Sequence, residues 1–272
     1  MVDRTGKLKN SPLAYMLASV RFAPWTLMAK KIDEIHDELR DILPLIHRIQ
    51  MQRIGSDGQV ATQGDEATQT TMWVFMPSDR SYGIQCAPDQ LLMFCKKYIR
   101  YIDFEATLSR VFDVLLKYMR FVDVANMGVR YVDHIKVSSE EKLEDYIDVG
   151  WLPADIKGLE KLGGVVLGSY KAESTELRIR SISQPGMLSV PDDLIHVLAL
   201  FQEPNKALQL DILKNCEMLL DIDSIKNNTT PERMEKDKIL SQLNLLHQEA
   251  NNFFRHESVC TEHAFEVWKG DI

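Results

Sequence analysis

The sequence predicts an α+β fold in which an antiparallel sheet is covered by helices. Three features predict it: short runs that alternate apolar and polar residues, longer stretches with apolar residues three or four apart, and turn-forming residues between the short runs. The 272 residues fit two loosely similar α+β halves, 1–138 and 139–272, or one continuous domain. Helices are expected at the C-terminal end.

The N-terminal half is predicted to contain a strand, a helix, a group of strands and a second helix. The alternating run Leu17–Ala23 indicates the first strand, and the spacing of apolar residues predicts helices over residues 26–42 and Phe104–Met119. Further strands are expected at Ile46–Ile54, Met72–Met76, Tyr82–Cys86 and Leu91–Cys95. The stretch Gly55–Thr71 has almost no large apolar residue, so we expect an exposed, irregular loop.

Gly128–Val137 is the most clearly marked strand in the chain. Tyr131 falls on its apolar face, and Arg130 falls on the opposite face. The apolar face requires a cover, so we expect the Tyr131 ring to be buried beneath the Phe104–Met119 helix. Gly128 and Tyr131 are therefore predicted to be structural, and Arg130 to pair with an acid on a neighbouring strand.

The C-terminal half is predicted to mix strands and helices in the same way. Its expected strands are Gly164–Lys171, Glu176–Ile182, Ala207–Leu213 and Glu217–Ile225, of which the first two form a hairpin. Helix-start signals occur at Ser138-x-x-Glu141 for a helix through about Ile147, after Pro153, at Thr230-Pro231-Glu232 and at Thr261. The apolar stripe after Thr230 predicts a long helix.

Composition and charge argue against several classes of protein. Lys and Arg total 32 and Asp and Glu 40, and the net charge of −8 disfavours nonspecific binding to nucleic acid. The four cysteines are widely spaced, which indicates reduced thiols rather than a zinc site. No stretch has the pattern of a signal peptide or a membrane span, so we expect a cytoplasmic protein that does not enter the membrane.

Five basic side chains form the main candidate binding surface. They are Arg130, His134, Lys136, Arg178 and Arg180. They would make a basic stripe if the two strands that carry them were neighbours in the sheet. Such a stripe is the one nucleic-acid footprint that the sequence offers.

Asp221 and Asp223 are the best candidates for a catalytic or metal site. Residues two apart on a strand point to the same side, and two carboxylates together can hold Mg²⁺. The competing interpretation, which we favour, is a pair of solvent-facing acids, because no further ligand is visible nearby.

Other patterns predict no chemistry. The histidines His247, His256 and His263 have spacings that fit no familiar metal motif. The usual nucleotide, hydrolase and zinc-protease motifs are absent from the sequence. No catalytic residue and no cofactor is therefore predicted.

Five stretches match a pattern found in other proteins. They are Pro12–Pro24, Met72–Tyr98, Gly128–Ile135, Leu219–Asp223 and Leu246–Phe254. Together they resemble a sporadically distributed bacterial and archaeal family of uncharacterised function. The most specific motif is G-V-R-Y-V-D-H-I at Gly128–Ile135, where the family pattern has Asn and this chain has Asp133. The stretch Leu246–Phe254 carries the motif L-H-x-x-A-x-x-F. The resemblance implies a patchy occurrence, similar to that of genes on mobile or defence loci, and implies no reaction.

These observations favour a non-enzymatic protein that binds a protein partner, such as an accessory, immunity or antitoxin-like factor of a bacterial locus. The acidic charge and the lack of active-site motifs support this hypothesis. The alternatives are a nucleic-acid-binding module that uses the basic stripe and a metal-dependent hydrolase at Asp221 and Asp223. A continuous basic groove would favour the first alternative, and three or more clustered ligands around Asp221 the second.

Overall fold

The chain forms nine strands and six helices in a computed structural model that describes residues 3–52, 69–98, 100–203 and 206–270. The first elements are β1 (Leu13–Phe22), α1 (Met28–Leu39), β2 (Leu45–Gln52), β3 (Gln69–Met76), β4 (Tyr82–Ala87), β5 (Gln90–Cys95), α2 (Tyr101–Met119) and β6 (Val122–Lys136). The remaining elements are α3 (Leu143–Tyr146), β7 (Val165–Ala172), β8 (Thr175–Ile182), α4 (Ile195–Leu200), β9 (Glu217–Met234), α5 (Lys236–Phe254) and α6 (Glu262–Lys269). The α+β prediction is confirmed.

All the described strands belong to one antiparallel sheet. Their order is β2-β3-β4-β5-β1-β6-β9-β8-β7. β6 pairs with β1 on one side and with β9 on the other, so both halves of the chain contribute neighbouring strands to the centre of the sheet.

The two parts of the sheet share a topology. In the first part β5 pairs with the opening strand β1, and β4, β3 and β2 follow outwards. In the second part β9 pairs with the opening strand β6, and β8 and β7 follow outwards. Each meander leads into a helix of 19 residues, α2 or α5. The two units with this strand order divide the chain before β6, whereas the predicted halves meet at residue 138.

One face of the sheet, the helix face, packs against α1, α2, α5 and α6. Alternate side chains of β1, such as Met16, Ala18 and Val20, point into this core. The stripe that α2 buries is Phe104, Leu108, Val111, Phe112, Val114, Leu115 and Met119, and the stripe that α5 buries is Ile239, Leu243, Leu246, Ala250 and Phe254. Both long helices thus cover the sheet, as their apolar spacing predicts.

The opposite face of the sheet is covered in part by residues 188–203, which we call the covering segment. It contains α4 and a single 3₁₀ turn at Asp192–Leu194. Its Phe201 ring lies 4.6 Å from the Phe94 ring of β5, and Leu198 packs in the same buried cluster as Leu17 and Val132. Strands near the centre of the sheet therefore bury some apolar side chains on this face as well, among them Leu17, Phe94 and Val132.

Two predictions for the second half are corrected. Ala207–Leu213 does not form a strand, although Ile212 makes an isolated bridge to Leu188. Its apolar side chains pack on the opposite face beside the covering segment, so their alternation reflects burial and not strand pairing. The helix expected after Pro153 does not form; a 3₁₀ turn at Val149–Trp151 precedes that residue.

Thr230-Pro231-Glu232 does not begin a helix. β9 continues to Met234, and α5 begins at Lys236. The pairing between β9 and β6 has an irregularity at residues 228–231, which are not paired with β6 residues in the ladder. Proline is tolerated at such a point because no ladder hydrogen bond is lost.

Three other predicted boundaries can be compared with the structure. Residues 55–68 of the expected loop Gly55–Thr71 lie outside the described residues, and its last residues belong to β3. Ser138 and Glu141 make the expected cap contact, with Oγ donating to Oε2 at 2.8 Å, but the helix that follows is the short α3. The Thr261 cap of α6 is confirmed, since its hydroxyl accepts from a backbone N–H at 3.1 Å.

The two ends of the described chain lie side by side. The backbone N–H of Asn10 donates to the carbonyl of Trp268 at 2.8 Å, and Lys269 pairs with Asp3 at 2.8 Å. The N-terminal segment therefore contacts the C-terminal end of α6. None of the described helices is both long and apolar enough to cross a membrane.

Candidate functional site

An ion-pair cluster lies on the opposite face of the sheet. Arg130 of β6 and Arg180 of β8 flank Asp221, because β9 lies between those two strands. Arg130 Nε donates to Asp221 Oδ1 at 2.7 Å, and Arg180 Nε donates to Asp221 Oδ2 at 2.8 Å. Asp193 of the covering segment accepts from Nη1 of Arg130 at 2.5 Å and from Nη2 of Arg180 at 3.0 Å. Two carboxylates therefore bridge two guanidinium groups.

The cluster satisfies its own charges. Although burial opposes the charged form, hydrogen bonds to Asp221 and Asp193 raise the pKa of Arg130. The hydrogen bond from Arg130 holds the pKa of Asp193 well below its usual value. Burial raises the pKa of the neighbouring Asp223 to about 6. The predicted pairing of Arg130 with an acid is thus present, and Arg130 pairs with two acids, Asp221 and Asp193.

The five candidate basic residues do not form one stripe. β9 separates Arg130 from Arg178 and Arg180, and it places Asp221 and Asp223 between them. A phosphate backbone approaching this surface would meet carboxylates as often as guanidinium groups.

The other members of the candidate set are dispersed. Arg178 pairs with Glu176 at 2.7 Å, and His134 Nε2 lies 3.2 Å from an oxygen of Glu217. Lys136 is exposed at the end of β6. The structure therefore brings together Arg130 and Arg180 on shared carboxylates, and the remaining three make no hydrogen bond to Asp221 or Asp193.

Asp221 and Asp223 lie on one strand face, as their spacing predicts. The interpretation of a solvent-facing pair is wrong, because Asp221 is 2% exposed and Asp223 is half-buried. Both carboxylate oxygens of Asp221 already accept hydrogen bonds from arginines. Among the described residues, no group of three or more His, Cys, Asp or Glu side chains is placed to hold a metal ion. A cation at Asp221 would have to displace a buried ion pair, which is costly.

The three histidines have separate partners. The Tyr131 hydroxyl lies 2.6 Å from Nδ1 of His247, and Nε2 of His263 lies 2.7 Å from Glu141. His256 accepts a hydrogen bond from a backbone N–H two residues further on. They do not converge on one point.

Tyr131 is buried on the helix face, with 8% of its surface exposed. Its cover differs from the prediction, because its hydroxyl meets His247 of α5 and its ring meets the edge of Tyr98, with centroids 6.1 Å apart. A Cβ atom on Gly128 would lie 3.3 Å from the Ser19 hydroxyl of β1, so a side chain there would crowd the neighbouring strand.

β7 is an edge strand with apolar exposed side chains. Val165, Leu167 and Tyr170 expose 46%, 71% and 49% of their surfaces. The segment that leads into β7 exposes three more large apolar side chains, Ile156, Leu159 and Leu162. No charged residue occurs from 165 to 170. Long apolar edges without charge tend to pair with other chains.

The other edge of the sheet has the protection that β7 lacks. The exposed side chains of β2 include Arg48 and Gln50 beside Ile46. A charged side chain on an edge strand discourages pairing with a further strand. The two edges are therefore chemically different.

Sequence reasoning missed Asp193 and the β7 edge. Asp193 belongs to a stretch for which no element was expected, although Pro191 followed by two acids is typical of a helix start. The signal for the edge is the uncharged run Val165–Tyr170, whose meaning depends on knowing that β7 ends the sheet.

Comparison with known proteins assigns no family. No family model and no curated protein matches the chain. Among solved structures, crystal form I of TP0453 is aligned over 89% of this chain and 98% of that chain, with 11% sequence identity and a TM-score of 0.12. A likeness at this level carries no argument about fold or function.

Proposed function

We propose that this protein is a non-enzymatic binding protein that recruits a protein partner through the outer edge of β7. The partner supplies an extended segment that adds to the sheet as a tenth strand. The observation that supports the proposal is the uncharged run Val165–Tyr170, beside which no described strand lies.

The uncharged, apolar side chains of the β7 edge determine which kind of segment can bind there. A charge placed against an uncharged apolar strand would be desolvated without a partner, so the docking segment must itself be uncharged over about six residues. Its backbone would pair with that of β7, and its side chains would cover Leu167. Full burial of one such side chain is worth about 1.5–3 kcal/mol.

The cellular setting that we propose is an accessory, immunity or antitoxin-like role in a bacterial locus, and it rests on the family resemblance. A cytoplasmic location suits the four free cysteines, three of which are buried.

Photocrosslinking in the host cell tests the proposal. A photoreactive amino acid replaces Leu167 in one protein and Arg48, on the β2 edge, in the control. We expect the Leu167 position to join a different protein, and mass spectrometry to map the junction to an extended segment without charge. The Arg48 position should not join that protein.

A second variant links the crosslink to strand pairing. Leu167→Lys places a charge on the edge at an exposed position, so the melting temperature should stay the same while crosslinking from Ser169 falls about tenfold or more. A junction to a second copy of this chain, or equal labelling from both edges, would contradict the proposal.

A further inference from the structure

A cleft of about 910 Å³ opens on the helix face. Its walls come from the N-terminal segment 6–13, the approach to α2, the strand β6 and the C-terminal part of α5. The volume is that of sites for small molecules. It shares no residue with the β7 edge, so it is independent of the proposed partner surface.

Positive charge surrounds the cleft. Lys7, Lys9 and Arg100 line it as exposed side chains, and none has a carboxylate partner among the described residues. Arg255 adds a fourth cation, whose Nη2 donates to the carbonyl of Gly6 at 3.0 Å. In a protein of net charge −8, four cations around one opening select for an anion.

Among the described residues that line the cleft, Asp133 is the one acid. It is 4% exposed, and no described residue donates a hydrogen bond to its carboxyl group. Burial raises the pKa of Asp133 to about 8, so at neutral pH the group carries a proton and offers both a donor and an acceptor. A buried polar group without a partner costs about 1–3 kcal/mol, which a ligand bonded to it would recover.

Aromatic rings line the same cleft as the cations and the carboxyl group. Tyr101 and His247 are stacked, with ring centroids 3.9 Å apart and planes 2° from parallel. Burial lowers the pKa of His247 to about 4, which leaves its ring neutral. Tyr98 and Tyr131 complete the wall. Such faces accept a planar ring, by stacking or by edge contact.

We propose that this cleft binds a nucleotide, a small molecule that joins a phosphate to a planar ring with hydrogen-bonding groups on its edge. The phosphate contacts Lys7, Lys9 and Arg100. The ring lies against the tyrosines, and its edge pairs with the Asp133 carboxyl group. An inorganic anion would leave Asp133 without a partner, and an uncharged ring would leave the cations unused.

Calorimetric titration of the purified protein tests the proposal. The probes are the common nucleoside 5′-monophosphates, the matching nucleosides and inorganic phosphate. We expect saturable one-to-one binding of at least one nucleotide, about tenfold or more tighter than its nucleoside and than phosphate. Arg100→Ala should weaken this binding about tenfold. Lys30→Ala, which removes an exposed lysine of α1, should leave it unchanged.

Two further variants separate the ring from the phosphate. Asp133→Asn keeps a donor and an acceptor and should preserve binding, whereas Asp133→Leu should abolish the preference for nucleotide over phosphate. Melting curves check that each variant is folded, and if Asp133→Leu does not fold, the comparison of Arg100→Ala with Lys30→Ala decides. Nucleotide binding that is absent, no tighter than phosphate binding, or equal in those two variants would overturn the proposal.

Discussion

Neighbouring residues of β6 have opposite environments. Tyr131 points to the helix face, where its hydroxyl meets His247, and Arg130 points to the opposite face, where it pairs with Asp221 and Asp193. One residue is held by packing and the other by charge, so their substitution should affect stability in different ways.

Loss of the Tyr131 ring should destabilise the fold. Tyr131→Ala should lower the free energy of unfolding by about 3–5 kcal/mol, the range for removing a large buried aromatic side chain. Tyr131→Phe keeps the ring and loses the contact with His247, so it should cost about 1 kcal/mol. Urea denaturation measures both. An alanine variant as stable as the parent would show that this face is not a core.

Loss of the Arg130 guanidinium should leave a buried carboxylate with a single partner. The Asp221 side chain is 3% exposed, so Arg130→Ala should lower the free energy of unfolding by up to about 3–5 kcal/mol. The hydrogen bond that Arg180 still donates to Asp221 should reduce this loss. Arg178→Ala is the control, because the exposed pair with Glu176 should contribute less than about 1 kcal/mol. Equal losses in the two variants would argue against a structural role for the cluster.

Asp133 should make stability fall as pH rises. Burial raises its pKa to about 8 in the folded state, against about 3.9 when unfolded, so the folded state holds the proton between those values. The loss of stability that the Asp133 carboxyl group causes grows as pH increases from about 4, and it levels off above about 8. Asp133→Asn removes it and should stabilise the protein by about 1–5 kcal/mol at pH 8 and by little at pH 4.

Denaturant midpoints measured across this range check the prediction. Asp33→Asn, at an exposed position of α1, is the control for the removal of one negative charge. A constant difference between Asp133→Asn and the parent at every pH would mean that the Asp133 carboxyl group ionises normally.

Alternation along one strand was enough to predict which face of the sheet Tyr131 and Arg130 each occupy, although not what covers Tyr131. It could not predict Asp193, which reaches the cluster from the covering segment, or the cleft, whose walls come from four distant parts of the chain. A side-chain period reports which face a residue occupies, and says nothing of what the rest of the chain brings to that face.

Among the elements, strands and helices with a strong period were predicted well. The wrong predictions of elements occurred where one sequence pattern is compatible with two different structures. Pro231 can begin a helix or sit in a strand irregularity, and the irregularity in β9 could not be known without its partner β6. Alternating apolar residues at Ala207–Leu213 cover a sheet without joining it.

The connection into β7 depends on a glycine. Gly163 has φ of +113°, and a Cβ there would lie 2.5 Å from the carbonyl oxygen of Ser183. Gly158 is a matched control in the same connection, since its φ is +84° and nothing lies within 4 Å of the added Cβ. Gly158→Ala should therefore cost about 1–2 kcal/mol from backbone conformation alone, and Gly163→Ala about 3 kcal/mol or more.

Thermal melts with calorimetry measure this difference. Similar losses for Gly163→Ala and Gly158→Ala would mean that the chain near Ser183 can move aside, and that the path into the edge strand is less fixed than the contacts indicate.

At the scale of the molecule, the central strands tie the two halves together. β6 pairs with β1 over the positions from Leu13 to Phe22 and with β9 along most of its length, so neither half can open without breaking a long ladder. We expect the whole sheet to unfold as one unit.

Single-tryptophan proteins test this expectation. Trp73 lies in β3 and Trp268 in α6, both buried, and the other tryptophans can be replaced by phenylalanine. During urea unfolding, the fluorescence transition of each protein should then coincide with the circular dichroism transition of the same protein. If, in each, the fluorescence and circular dichroism midpoints differ, the halves unfold separately and form two domains.

Because Asp3 lies close to Lys269, the order of the elements along the chain could be changed while their arrangement in space stays the same. A short linker between these two ends would close the backbone into a ring. New ends could then be opened at Gly158, in an exposed connection with open space around it, and β7 would become the first strand of the rearranged chain. Every ladder in the sheet would survive such a circular permutation, while the edge proposed to receive a partner would begin beside a free N-terminus.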